Sequence, residues 1–200
     1  LPKDTATVQL NKSDFRNVKV NDNHNCLYHI KTSVDIPVTG LGIAGTIFGY
    51  ALIAKKVDSD SISIAKLSEN DLEFPWDKYS VDNFNTQAAD ISDIFLYSGF
   101  VYGFTLMLDK DIRKDAFKII LLYLETMSLT GTSYAMASGL TYKYRPYAYN
   151  TDVDFGKRQS HFARNSFYSG HASVPAASTL FVASVYSTYH PHSKFRYVLY

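Results

Sequence analysis

Two short stretches combine residue types that suit work on an anion. The first is YKYRPYAYN, residues 142–150, which holds Lys143, Arg145 and Pro146. The second is FYSGHAS, residues 167–173, which holds Ser169, Gly170 and His171. A guanidinium can grip a tetrahedral oxyanion through two parallel N–H bonds. Lys143 offers a second cation close by. Ser169 adds a hydroxyl donor, and Gly170 lets an oxyanion approach the backbone. Imidazole can give or take a proton near neutral pH. Taken singly, the arginine equally suits an ordinary surface position. The histidine equally suits a helix cap or a carbonyl partner. Together they describe a site that binds an anion and moves a proton, provided the fold brings them together.

The elements that must do so are legible as apolar runs. Ile36–Ala54 carries no charge, Ile94–Leu108 is apolar but short, and Ala172–Tyr189 is again uncharged. Ala116–Leu140 is long, interrupted by Lys118 and Glu125. No stretch alternates apolar and polar residues between hairpin dipeptides. The expected fold class is therefore all-α: four long helices, with KFRYVLY read as the start of a fifth. The residue before a proline avoids the α region, so the third helix should stop at Arg145. The fourth should begin near Ser169, with Pro175 in its tolerant first turn. The first amides of a helix lack internal partners and point outward with the positive end of the dipole, which makes a ready anion site.

Run lengths near the threshold for crossing a bilayer point to a membrane bundle. The 16 Tyr and 13 Phe suit an apolar–polar boundary. A soluble helical protein with a tyrosine-rich surface has the same composition. If each helix crosses once, Lys110, Arg113 and Lys114 share a side with Lys194 and Arg196, and the positive-inside rule makes that side cytoplasmic. The loop of residues 141–170 then faces outward, and it is itself basic (Lys143, Arg145, Lys157, Arg158, Arg164). Residues 1–35 read as a polar N-terminal arm and 36–200 as one helical domain, the chain being a piece cut at both ends. A net charge of +1 makes no electrostatic case for nucleic acid. The single Cys26 permits neither an internal disulfide nor a cysteine zinc cage. No metal or cofactor is expected. Gly40, Gly42 and Gly45 spell G-x-G-x-x-G, but Pro37 spoils the preceding strand that a dinucleotide site needs. Gly45 and Gly49 read better as a close helix-packing pair.

Arg145-Pro146, a basic loop, and RNSFYSGHAS opening an apolar helix resemble the type 2 phosphatidic acid phosphatase and vanadium haloperoxidase superfamily. Its motifs run K-x6-R-P, P-S-G-H and S-R-x5-H-x3-D. The resemblance covers roughly residues 90–200 and is nearest to multi-helix bacterial envelope phosphatases. It implies a metal-independent phosphatase acting on a phosphate monoester or pyrophosphate, with a phosphorylated lipid as substrate. Arg145, helped by Lys143, Ser169 and Gly170, would hold the phosphoryl oxygens, and His171 would protonate the departing alkoxide. The protein would be a multi-pass component of the cell membrane, with its site on the periplasmic or outer face. Three departures stand out: Ser138 replaces the first motif's lysine, Tyr168 replaces the proline before Ser169, and the third motif does not occur within these residues. His190 and His192 would lie about 27 Å from the start of the fourth helix. Nothing in the sequence orients His161. The nucleophilic histidine, which would form a phosphohistidine, is therefore expected beyond Tyr200. Two other readings share these features: a vanadate-dependent haloperoxidase, and a helical membrane scaffold without activity.

Overall fold

Helix boundaries follow from apolar runs and the polar residues that cap them. α1 (Thr32–Ala54) starts ahead of its apolar run because Asp35 accepts the Lys31 amide at 2.6 Å, and a carboxylate suits the positive helix end. α1 thus begins at Thr32, ahead of the apolar run that opens at Ile36. α2 (Ser61–Ala65) is a short turn capped by Asp60. α3 (Thr86–Tyr102) begins where Asn85 accepts the Gln87 and Ala88 amides. It runs on as a tighter turn over Gly103–Leu108, so the segment expected to be short is 23 residues long. α4 (Ala116–Leu140) fills the expected apolar run but stops at Leu140, short of the Arg145 end that Pro146 led one to expect. α5 (Phe155–Gln159) lies in the connection to α6 (Gly170–Tyr189). In this computed structural model residues 28–72 and 74–195 are described, and all regular structure among them is helical. The arm up to residue 27 with Cys26, and Arg196 with the expected fifth helix, lie outside the described residues.

One expectation needs correction. α6 starts at Gly170, so Pro175 is its sixth residue and lies inside the helix rather than in its first turn. Proline there cannot donate to the carbonyl four residues back. It packs directly against α3 at Gly99.

α1 and α4 run in the same direction with small residues face to face. Gly42, Gly45 and Gly49 meet Ser128, Thr132 and Ala135 in turn, the packing read from the Gly45–Gly49 pair. Hydroxyls join the two backbones: Thr132 Oγ1 donates to Gly42 O, and Thr46 Oγ1 lies 3.1 Å from Ser128 O. Such contacts hold helices together where apolar burial supplies little drive. α3 and α6 also run together, antiparallel to α4. At the centre, buried Tyr123 of α4 donates to Gly99 O of α3 at 2.7 Å and lies 2.9 Å from Ser178 Oγ of α6. Leu106, Ile112, Ile119, Val182 and Val185 form the core below it.

This arrangement gives the bundle two ends. One gathers the C-termini of α1 and α4 and the N-termini of α3 and α6. The other gathers residues 109–115 and 188–193, joined by His190 and Asp109 at 2.9 Å. Two helical segments, Thr32–Ala54 and Thr86–Leu108, are long and apolar enough to cross a membrane. Their outward faces carry Leu41, Ile47, Ile94 and Phe95, all well exposed.

Candidate functional site

The first end is covered by the two long connections, and backbone pairing within the second delivers Arg145. The Arg145 amide donates to Ala163 O at 2.7 Å, and the Ser166 amide to Lys143 O at 3.2 Å. This clamp folds the loop back on itself and sets Arg145 beside the start of α6. As expected before proline, Arg145 is extended (φ −72°, ψ 148°) and ends outside any helix. Arg145, Ser169, Gly170 and His171 line one cavity of about 280 Å³, with Ser80, Asn83, Tyr134, Tyr147, Asn165 and Tyr168 among its other walls.

The donors in that cavity are largely uncommitted. The half-buried Arg145 guanidinium makes no hydrogen bond or ion pair among the described residues. No side chain caps α6 at Ser169, so its first amides keep the exposed dipole end that attracts anions. Burial pushes the Tyr147 phenol above its ordinary value, and the Arg145 charge beside it only partly offsets this. Tyr147 therefore keeps its proton at neutral pH and remains a donor.

His171 has a partner that the sequence did not disclose. Its Nε2 lies 2.7 Å from Asp93 Oδ1 on α3. His171 lines two cavities. The second, about 390 Å³, is walled by Ile43, Ile47, Leu96, Phe100, Leu124 and Met127 and shares Tyr134, Gly170 and His171 with the first. A polar chamber thus lies against an apolar groove between α1, α3 and α4, with Tyr134, Gly170 and His171 as their common wall.

Lys143 is not brought to the cavity. Its Nζ pairs with Asp77 at 2.8 Å and lies over the Phe74 ring, which anchors the turn over Pro75–Ser80. The expectation that Lys143 helps hold the anion is therefore corrected: its charge is neutralised in a structural pair. Other cations of the basic loop are occupied in similar ways. Buried Arg158 donates to Ala148 O, Lys157 covers Phe84, and Arg164 stacks on Tyr142 and Tyr144. Of the five basic loop residues, only Arg145 lines the cavity.

A further cation lies beneath the site. Lys56, just past the end of α1, is 6% exposed. Ser138 O, Thr141 O, Arg164 O and Asn165 Oδ1 lie within 2.5–3.2 Å of its Nζ. It ties off the C-terminus of α4, where orphan carbonyls need donors. Burial, reinforced by the nearby Arg164 charge, holds its ammonium below the usual lysine range. Ser138, which stands where the first motif's lysine would be, is fully buried and donates to Phe167 O at 3.1 Å.

The remaining described histidines stay away from the cavity. His190 pairs with Asp109 at the opposite end, as its distance along α6 implied. His161 is oriented after all, by Asp58, which accepts both its amide and its Nδ1 contact, yet it is not among the cavity walls. Among the described residues no cluster of three metal-binding side chains occurs. The chain matches no family model, no curated protein and no solved structure.

Proposed function

We propose that this chain carries the phosphate-binding part of a phosphatase resembling the type 2 phosphatidic acid phosphatases, acting on a phosphate monoester or pyrophosphate of a lipid. One observation carries the reading: Arg145, the uncapped start of α6 and His171 converge on a single chamber. The Arg145 fork holds two phosphoryl oxygens. Ser169 and the Gly170 amide hold another, and these fixed donors stabilise the charge that spreads over the equatorial oxygens in the transition state. His171 protonates the departing oxygen. In-line attack comes from a histidine supplied beyond Tyr200, giving a phosphohistidine that water then cleaves. Lys143 has no part in this scheme.

The apolar groove favours a lipid over a small soluble ester. A phosphate seated against Arg145 leaves its ester substituent pointing past His171, where Ile43, Ile47, Leu96 and Phe100 can cover a hydrocarbon chain. With α1 and the Thr86–Leu108 segment spanning the bilayer, such a chain stays among lipid tails. Lys110, Arg113, Lys114 and Lys194 at the far end then mark the cytoplasmic side, and the chamber opens on the outer face of a multi-pass protein.

The test is phosphate release by the intact protein in detergent from phosphatidic acid, an alkyl diphosphate and p-nitrophenyl phosphate. Turnover should survive chelators and be blocked by orthovanadate. Absence of release from all three substrates would leave the inactive scaffold as the better account.

A further inference from the structure

The crossing of α3 and α6 sets one carboxylate against the histidine of the site. The two helices pack tightly at Gly99 and Pro175, where a Cβ on Gly99 would lie 3.2 Å from the Pro175 Cα. Toward the chamber from this crossing stand Asp93 on α3 and His171 on α6. Asp93 Oδ1 meets His171 Nε2 at 2.7 Å, while the His171 Nδ1 has no partner among the described residues. Asp93 is not itself a wall of the chamber, whereas His171 lines both cavities. Both side chains are partly exposed, at 37% for His171 and 52% for Asp93. A pair so open to water adds little to folding, so what it can supply is orientation of the ring.

We propose, resting on the phosphatase reading, that Asp93 is the positioning residue of His171 and that Nδ1 is the nitrogen that delivers the proton. Asp93 holds the Nε2–H and thereby fixes both the ring plane and the tautomer. In the step itself the attacking imidazole nitrogen forms a bond to phosphorus as the bond to the ester oxygen breaks. The electron pair of that bond stays on the oxygen, which takes the Nδ1 proton. His171 is left neutral, with its Nε2–H still on Asp93.

The test uses the intact protein in detergent, with decyl phosphate as the poor leaving group and p-nitrophenyl phosphate as the good one. Asp93→Asn should lower kcat on decyl phosphate about 100-fold and on p-nitrophenyl phosphate by less than about 5-fold, since only the first needs the proton. Asp93→Glu should restore most of the loss, and the melting temperature of both variants should match the parent. Equal losses on the two substrates, or none on either, would overturn the positioning role while leaving the phosphatase reading intact. A parent protein inactive on both would instead remove the phosphatase reading, and this proposal with it. Nitrogen NMR of labelled histidine gives a readout independent of turnover. His171 should be protonated at Nε2 in the neutral parent and become a tautomer mixture in Asp93→Ala; a parent protonated at Nδ1 alone would overturn the assignment.

Discussion

The two ends of the bundle handle charge differently. At the far end, cations and carboxylates meet in pairs: Lys114 with Asp111, Lys118 with Asp115 and His190 with Asp109, all within 3.0 Å. Tyr189 Oη adds a 2.7 Å bond to Asp115. The unpaired Lys110 and Arg113 there are exposed to water. At the chamber end, Lys143–Asp77 and His161–Asp58 follow the same rule. Arg145 does not: it is half-buried, it lines a cavity, and no described carboxylate answers it. A fold that merely closes a bundle pairs its cations with carboxylates, leaves them in water, or commits them to carbonyls as it does Lys56 and Arg158. One that keeps a guanidinium half-dry beside an uncapped helix start is suited to a ligand that brings its own negative charge.

The sharpest way to break this contrast is to remove the proton donor proposed for it. His171→Ala in the intact protein should lower kcat on an alkyl phosphate by about 1000-fold and on p-nitrophenyl phosphate by about 10-fold or less. Steady-state kinetics on the two substrates measures the split. Equal losses would make His171 a structural partner of Asp93, no different in kind from His190 with Asp109.

Arg145 comes next. Arg145→Lys keeps the charge and loses the planar fork, so kcat/KM should fall about 100-fold, a loss of roughly 2.7 kcal/mol in transition-state binding. Arg113→Lys at the far end should change kcat/KM by less than about 2-fold, because an exposed, hydrated cation has no geometry to lose. Full activity in Arg145→Lys would erase the distinction between the ends.

The four helices could be read because their apolar runs are long, and Arg145 and Ser169–His171 because proline and glycine punctuate helix ends locally. The α3 start was misread because Asn85 caps the helix well ahead of its first apolar stretch. Asp93, Tyr134 and Lys56 were missed for a different reason. Each acts across a helix crossing, and nothing near Asp93 in the chain indicates that Gly99 will let α3 touch Pro175. Lys143 was over-read for the same cause: proximity in sequence to Arg145 does not reveal that Asp77 claims its charge.

Lys56 sharpens the comparison through stability rather than catalysis. Lys56→Met keeps the aliphatic stem but leaves Ser138 O, Thr141 O and Asn165 Oδ1 without their common donor. Stranding buried acceptors costs about 1–3 kcal/mol apiece when they find no water. With some relaxation of the loop, a net loss of about 3 kcal/mol is expected. Thermal unfolding in detergent should show it as a clear drop in Tm. Because Asn165 walls the chamber, vanadate affinity should fall in parallel. An unchanged Tm would mean that water replaces the ammonium and that the chamber end is looser than its hydrogen bonds imply.

The smallest effect is expected at the far end, on acidification. Burial raises the Asp109 carboxyl, but the amides of Ile112 and Asp111 and the His190 ring outweigh it and hold the group below its ordinary value of 3.8. A carboxylate with a lowered folded value stabilises the fold above its ordinary titration range, and that contribution disappears as pH falls through the lowered value. The parent should therefore lose stability below about pH 4, where the unfolded chain binds the extra proton. Asp109→Asn keeps one amide acceptor and removes the titration. It should cost about 1 kcal/mol near neutrality and flatten the acid limb, with phosphate release unaltered because the chamber lies at the other end. Melting curves from pH 3 to 7, about the span over which carboxylates titrate, separate the cases. An acid limb as steep in Asp109→Asn as in the parent would shift the sensitivity to Asp58 and Asp111, whose hydrogen bonds also hold them below their ordinary values. Of these, Asp58 orients His161 at the chamber end, so that outcome would place acid sensitivity in part beside the site itself.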